Sequence, residues 1–143
     1  MIFLFEALWF LVTPGFANIA AAISGYIIHS FTYPVDFGKT FGGKRILGDH
    51  KTWRGIIFGV IIGLLTFKLQ QSLYVEYEFF RTVSFFDYQK SSLFLGFFLA
   101  IGAIVGDLVK SFFKRRFGVK SGKSWFPFDQ IDWIAGALLF GSF

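Results

Sequence analysis

The sequence has no cysteine in its 143 residues. This absence excludes a disulfide framework and any metal site built on thiolates. It also has no internal repeat and no low-complexity segment, so it lacks the repeated halves typical of transporters. The opening stretch, MIFLFEALWF, has no basic residue and contains Glu6, which argues against a cleaved signal peptide and for a retained segment.

Apolar residues dominate the composition of the chain. The chain is 55% hydrophobic and contains 23 Phe, more apolar surface than a soluble domain of this length carries. Since a spanning helix needs about 20 mostly apolar residues, we expect an all-α polytopic integral membrane protein, with residues 1–143 forming a single transmembrane catalytic domain. Four helical segments are predicted, namely residues 2–31, 55–72, 92–113 and one that opens near Asp129 and runs to the end of the chain.

Two of these segments have special features. Thr13-Pro14-Gly15 interrupts the first, which predicts either one long helix kinked at Pro14 or two half-helices. In the fourth, the apolar run of residues 131–143 covers only about 20 Å at 1.5 Å per residue. It cannot cross the bilayer, so we expect the chain to be truncated within or after the fourth helix, although a re-entrant segment is the alternative.

The charges separate the loops by side. Residues 32–54 and 114–128 are rich in Lys and Arg, whereas residues 73–91 hold Glu76, Glu78 and Asp87. The positive-inside rule then predicts a multi-pass protein of the plasma membrane with its N-terminus outside and two basic loops in the cytoplasm. Because both basic loops lie on one side, they can build one cytoplasmic site together.

Acidic residues stand among the bases of the second basic loop. Asp107, Ser111 and Lys114 share one helical face, with Lys110 and Arg115 beside it. An acid at the edge of a span is costly and therefore a functional candidate. The alternative is a salt bridge from Asp107 to Lys110 or Lys114.

Asp129 and Asp132 mark the start of the fourth helix. An Asp with a second acid three residues later is also an ordinary helix start. Together with Asp107 and the surrounding bases, however, they supply what a magnesium nucleotide needs, which is hard oxygens for the metal and cations for the phosphates. The segment Ser121-Gly122-Lys123-Ser124 can wrap phosphates with its backbone N–H groups or be a plain flexible loop.

The first basic loop contains GKTFGGKR, residues 38–45, which is one residue short of a Walker A pattern. A P-loop also needs a preceding strand in a βα unit, which a membrane chain does not offer, so that interpretation is rejected. The glycines allow close approach of backbone to a ligand, and five bases can hold phosphate. His29 and His50 are isolated, and we assign them no catalysis.

The segment GDLVKSFFKRRFGVKS resembles the CDP-diacylglycerol synthases, membrane cytidylyltransferases whose motif begins GD, continues S-x-x-K-R and ends D-R-x-D. The corresponding pieces here are Gly106-Asp107, Ser111 to Arg115, and Asp129 to Asp132. Gln130 replaces the Arg, Ser121 replaces an Asp, and a His-Gly-Gly stretch after Pro127 is missing. These departures, with DFGKTFGGKRILGDHKTWRG in the first loop, resemble the archaeal branch of the family, the CDP-archaeol synthases.

The resemblance implies a fold with five helices and a reaction that transfers CMP from CTP to an isoprenoid ether lipid phosphate (digeranylgeranylglyceryl phosphate), releasing pyrophosphate. It implies Mg²⁺ held by Asp107 and Asp129, with Asp132 as the last acid of the motif and with Lys114 and Arg115 as its central bases. CTP, the lipid phosphate and membrane lipids are the expected partners, nucleic acid is not, and a homo-oligomer stays open.

The implied chemistry agrees with the residues. A lipid phosphate is already ionised near neutral pH, with a second pKa near about 6, so no general base is required. Metal ions and cations must instead shield one anion from another; two Mg²⁺ ions, or one with a monovalent ion, both satisfy this. We expect Lys110, Lys114 and Arg115 to hold the β- and γ-phosphates, and the remaining contacts to substrate to come from Lys39, Arg45, Lys51, Arg54, Ser111 and Lys120.

Three other functions compete with this one. A lipid phosphotransferase would carry several Asp in one D-G-x-x-A-R type run, which the sequence lacks. A transporter or channel would favour charges along a path through the membrane, whereas here they gather at one side. A structural membrane subunit with basic loops does not require Asp107 and Asp129 together.

Overall fold

The structure is a computed structural model, and it describes residues 2–120 and 123–142. Within these residues the chain forms helices joined by loops, with a small hairpin in the first long loop. In chain order the elements are α1 (Ile2–Ile27), β1 (Thr40–Phe41), β2 (Lys44–Arg45), α2 (Trp53–Glu76), α3 (Glu78–Thr82), α4 (Leu93–Arg116) and α5 (Phe128–Gly141). The all-α architecture expected from hydropathy is confirmed.

Helices α1, α2 and α4 are each long and apolar enough to cross a membrane. Both α2 and α4 extend beyond the apolar runs that predicted them, because their ends carry polar residues on helical turns. α1 is continuous through Pro14, which is buried inside it, so the alternative of two half-helices is wrong. α5 has 14 residues, too few for a 30 Å crossing at about 1.5 Å per residue.

The hairpin and α3 were not expected from the sequence. β1 and β2 pair antiparallel, with Thr40 opposite Arg45 and Phe41 opposite Lys44. Gly42 and Gly43 form the turn with φ of 58° and 73°. Positive φ at both central residues is the geometry of a two-residue hairpin, for which Gly-Gly is a favoured sequence. The Gly42-Gly43 pair is therefore the feature of the sequence that points to this hairpin.

Small residues bring α1 and α2 together. Gly55, Gly59 and Gly63 follow each other at intervals of four on α2 and face Ala17 and Ala21 of α1. A Cβ added to Gly59 would lie 3.1 Å from the Ala21 Cβ and 2.9 Å from Ile104 Cδ1 on α4. In lipid, where apolar contact with a neighbouring helix gains little over contact with acyl chains, such close backbone packing is a main source of helix association.

The same device joins α4 to α5. Gly102 and Gly106 on α4 face Gly136 on α5, and a Cβ on Gly136 would lie 2.9 Å from the Gly106 Cα. Because the two backbones approach so closely, the first turns of α5 are placed directly beside α4. Asp129 and Asp132 stand on those turns.

At the other end of the bundle, a buried polar side chain of α2 links α1 to the loop that follows α3. Gln70 of α2 contacts the Thr13 hydroxyl through its Oε1 and donates from Nε2 to the Trp9 carbonyl at 2.7 Å and to the Tyr88 hydroxyl at 3.4 Å. Polar groups away from water need such partners. Tyr88 of this network also belongs to the buried hydrophobic core, together with Phe67 and Leu99.

We predict that Gly106→Ala destabilises the protein, since its Cβ would lie 3.0 Å from the Asp132 carbonyl carbon and 3.2 Å from Gly136 Cα. Overpacking of this kind costs about 1–3 kcal/mol, which lowers the thermal midpoint in detergent by several degrees. The matched control is Gly15→Ala, where the added Cβ meets Trp133 at 3.6 Å, an ordinary contact. A Gly106→Ala protein as stable as Gly15→Ala would contradict the packing described for α4 and α5.

Candidate active site

Asp36 organises the first basic loop. Its buried carboxylate accepts hydrogen bonds from Arg45 at 2.7 Å and from the backbone N–H groups of Gly38, Leu47 and Gly48 at 3.1, 2.9 and 3.2 Å. The loop from residue 36 to residue 48 is therefore wrapped around one carboxylate. Arg45 also pairs with Asp49, so its guanidinium is part of the loop's framework.

These bonds decide the charge state of Asp36. Burial alone would raise its pKa, but the Arg45 guanidinium and the N–H groups of Leu47, Gly48 and Gly38 outweigh burial and hold the pKa well below its usual range. Asp36 stays ionised throughout the physiological range, and the loop keeps its core.

Arg116 fastens the hairpin to the end of α4. Its guanidinium donates to the carbonyls of Phe41, Lys44 and Arg45, the last at 2.7 Å, and it lies over the ring of Phe112 at 5.2 Å from the centroid. Lys44 Nζ returns a hydrogen bond to the Arg116 carbonyl at 3.1 Å. Sequence reasoning missed this contact, because nothing in the spacing of two residues 72 positions apart points to it.

Lys110 lies at the centre of three carboxylates. Its Nζ donates to Asp107 Oδ1 at 2.9 Å and lies 2.9 Å from Asp129 Oδ1 and 3.0 Å from Asp132 Oδ2. The structure thus brings together the acids singled out from the sequence, one from α4 and two from α5. The salt bridge considered as the alternative for Asp107 is present as well.

Two further lysines complete the cluster from either side. Lys51 of the first loop pairs with Asp107, and Lys114 lies 3.3 Å from Asp129. Asp129 also accepts a hydrogen bond from the Trp125 N–H. It does not cap its own helix, since the N-cap residue of α5 is Pro127. The interpretation of Asp129 as an N-cap is therefore wrong, although it lies in the first turn of α5.

Asp132 is the most deeply buried of the three acids. The residue is 9% exposed, and its Oδ2 lies 3.0 Å from the Lys110 ammonium. A buried ionised oxygen of this kind favours a cation beside it, and carboxylate oxygens are the ligands that Mg²⁺ prefers.

The three carboxylates are the type of ligand that a magnesium ion requires, but their oxygens stand farther from their common centre than Mg²⁺–oxygen bonds allow. Their oxygens stand 2.9–3.0 Å from the Lys110 Nζ, whereas Mg²⁺ holds its ligands at about 2.0–2.1 Å. Within residues 2–120 and 123–142, no three acidic or histidine side chains are already closed around one metal position. Asp107 and Asp129, with Asp132 beside them, are the residues that would hold the ion.

Two cavities meet at this cluster. A polar one of about 350 Å³ lies between the first loop and the ends of α4 and α5, and its lining includes Lys51, Lys110, Ser111, Lys114, Arg115 and Asp129. An apolar one of about 780 Å³ runs between α4 and α5, and its lining includes Val109, Lys110, Phe113, Phe128, Asp132 and Leu139. Lys110 lines both.

Lys123 and Ser124, from the segment expected to wrap phosphates, also line the polar cavity, as does His50, which was not chosen from the sequence. His50 carried no signal because it is isolated in the chain, and it reaches the cavity only through the fold of the first loop.

Other residues chosen from the sequence lie elsewhere. Arg54 donates to the Ile28 carbonyl at 2.6 Å, beyond the end of α1, and does not line the polar cavity. Lys39 and Lys120 are exposed on the two loops. In the segment expected to wrap phosphates, Ser121 and Gly122 lie outside the described residues. A role in substrate binding for Arg45, Arg54, Lys39 and Lys120 stays a prediction.

Comparison with known proteins gives consistent matches over nearly the whole chain. The family model described as CarS-like: CDP-archaeol synthase matches residues 1–143. A CDP-archaeol synthase from Methanocaldococcus jannaschii is 41% identical over 139 residues, covering 96% of this chain and 75% of that protein. One from Pyrococcus furiosus is 38% identical over 136 residues, covering 94% and 73%.

The fold also has a solved counterpart. A structure described as an intramembrane enzyme for archaeal membrane lipids biosynthesis aligns with a TM-score of 0.72 at 28% identity. The alignment covers 96% of this chain and 76% of that one.

We predict that Asp36→Asn loosens the first loop. Loss of the charged acceptor weakens the five hydrogen bonds that Asp36 accepts, and leaving buried donors poorly paired costs about 1–3 kcal/mol. Hydrogen exchange at the Leu47 and Gly48 amides should therefore accelerate about tenfold or more. Asp49→Asn is the control, because its side chain is 72% exposed and contacts the same arginine. Equal exchange in both variants would contradict the role given to Asp36.

The pH dependence of this loop has a defined sign. The folded pKa of Asp36 lies below its ordinary value of 3.8, so its contribution is complete above about pH 4 and is lost as the pH falls through the folded value. Protection of the Leu47 and Gly48 amides, corrected for intrinsic exchange rates, should stay constant from pH 7 to pH 5. A decline within that interval would contradict the assignment.

Proposed function

The chain belongs to the CDP-archaeol synthase family, and we propose that its polar cavity and apolar groove hold the two substrates of that reaction side by side. The protein is a membrane-embedded, multi-pass cytidylyltransferase that forms CDP-archaeol. The observation that carries the finer assignment is that the polar cavity, lined by Asp129, and the apolar groove, lined by Asp132, share Lys110.

The polar cavity is the proposed site of CTP. Its lining carries Lys51, Lys114, Arg115 and Lys123, which match the charge of a triphosphate. Asp107 and Asp129 are the proposed ligands of Mg²⁺, with the buried Asp132 in support. When bound, the metal would neutralise charge on the phosphates and on the departing pyrophosphate.

The apolar groove is the proposed site of the lipid. Phe113, Phe128 and Leu139 line its wall, and Lys110 and Asp132 stand where it meets the polar cluster. An isoprenoid ether lipid phosphate matches this division, since its tails need only apolar walls and its phosphate needs cations.

The reaction then requires little proton chemistry. A lipid phosphate oxygen, ionised above a second pKa of about 6, attacks the α-phosphorus of CTP and forms a new phosphorus–oxygen bond. The bond from the α-phosphorus to the bridging oxygen breaks, and pyrophosphate leaves with its electron pair. Lys114 and Arg115 are positioned to stabilise the charge on that leaving group.

The proposed orientation places this site in the cytoplasm and the N-terminus outside, in the plasma membrane. It is supported by the distribution of charge, because the end of α4, the start of α2 and the start of α5 all meet at the basic end of the bundle. The opposite end carries Glu76, Glu78 and Asp87.

We predict that pyrophosphate release by the purified protein in detergent requires CTP, Mg²⁺ and digeranylgeranylglyceryl phosphate together. Omission of any one should remove it. Release without the lipid phosphate, or none from folded protein with all three present, would contradict the proposed substrates.

We also predict that Asp107→Asn lowers turnover by about 10²–10³-fold, as expected for the loss of one group that stabilises transition-state charge. The protein should still insert and stay monodisperse in size-exclusion chromatography. Asp87→Asn is the control, since Asp87 pairs with Lys90 on a distant loop. Normal turnover in Asp107→Asn would rule out the metal assignment.

A further inference from the structure

Charge balance around the acidic cluster singles out Lys110. Asp107, Asp129 and Asp132 contribute three negative charges, and Lys51, Lys110 and Lys114 contribute three positive ones within 3.3 Å of them. The group is neutral as it stands. A divalent ion added among the carboxylates would leave an excess of two positive charges, and like charges about 4 Å apart repel by several kcal/mol near a protein surface.

Of the three lysines, Lys110 is the one that a bound metal ion must displace. Lys51 contacts Asp107 from the first loop, and Lys114 contacts Asp129 from the next turn of α4. Lys110 instead touches all three acids with one ammonium, which therefore occupies the point on which they converge. An ion held by the same oxygens cannot share that point with it.

Asp132 shows that this position holds a cation away from water. Its side chain is nine-tenths buried, and its Oδ2 lies 3.0 Å from the Lys110 ammonium. A buried carboxylate favours a cation beside it. The contact is one of opposite charges, so another cation can replace the ammonium.

The Lys110 ammonium can also move to a second position, away from the acids. It lines the apolar groove as well as the polar cavity, and its four-carbon stem allows the ammonium to swing without movement of α4. The mouth of the groove is where the phosphate of the lipid would stand under the proposed function. Released from the acids, the ammonium meets an anion that it could not bind while neutralised.

We propose that Lys110 is a built-in counterion that a divalent metal displaces, and that the displaced ammonium then binds the phosphate of the lipid substrate. This proposal rests on the proposed function. Metal binding and lipid phosphate binding should then favour each other. The metal frees the Lys110 ammonium to bind the phosphate, and the phosphate keeps the ammonium away from the metal site. It also gives Lys110 a role different from holding the β- and γ-phosphates of the nucleotide.

The first test measures metal binding alone, without nucleotide or lipid. Lys110→Met should bind Mn²⁺ about tenfold or more tightly than the unaltered protein, within the usual range of coupling between sites, as followed by titration calorimetry or by the Mn²⁺ electron paramagnetic resonance signal. Lys110→Arg, which keeps the charge, should stay close to the unaltered protein. Equal or weaker binding by Lys110→Met would overturn the proposal.

The second test needs no variant and so stands even if Lys110→Met fails to fold. An amine-acylating reagent is applied to the unaltered protein with and without saturating Mg²⁺, and modification at each lysine is followed by mass spectrometry. Mg²⁺ should raise the modification rate of Lys110 several-fold and leave Lys90, whose side chain is 88% exposed, unchanged. A Lys110 rate that does not respond to bound Mg²⁺ would overturn displacement.

The third test separates this proposal from the proposed function. Binding of digeranylgeranylglyceryl phosphate is measured with and without Mg²⁺, and the metal should tighten it about tenfold in the unaltered protein but not in Lys110→Met. Pyrophosphate release by the unaltered protein without such coupling would refute the role of Lys110 alone. Coupling without pyrophosphate release would instead refute the proposed reaction and still support displacement of Lys110 by the metal.

Discussion

Mutual neutralisation of buried charge at one end of the bundle is the interaction on which the rest of the structure depends. The acids of α4 and α5 and the lysines of α4 and the first loop contact one another at the edge of three apolar helices. None of these charges would be tolerated there alone. The loop, α4 and α5 are therefore held together by the same groups that are proposed to bind metal and phosphate, so under that proposal stability and chemistry depend on one set of side chains.

The helices and the sidedness of charge could be predicted from the sequence, because both depend on composition along the chain. In lipid, a run of about 20 apolar residues must hydrogen-bond its own backbone N–H and C=O groups, which it does as a helix. The i, i+3 relation of Asp107 and Lys110 then follows from helical geometry. The involvement of Asp129 and Asp132 was inferred from their resemblance to a known motif and from their company of bases.

The position of Lys110 among three acids could not be predicted in this way. It depends on how closely α5 approaches α4, and that distance is set by Gly102, Gly106 and Gly136, three residues whose packing partners lie far apart in the chain. The same holds for the Arg116 clamp and for Asp36, whose partners are decided by the path of a loop. Arg54 shows the converse, since this base, predicted in the first loop, lies in the first turn of α2 and donates to a carbonyl beyond the end of α1.

The Arg116 clamp has a consequence for behaviour at high ionic strength. Its partners are carbonyl oxygens and aromatic rings in direct contact, and salt has little effect over distances so much shorter than a Debye length of about 8 Å. The long-range attraction that draws a polyanion from solution toward the basic loops is screened over that same length. At high ionic strength the loop would thus keep its shape while capture of a polyanion slowed, so ionic strength would act on the encounter and leave the assembled site intact.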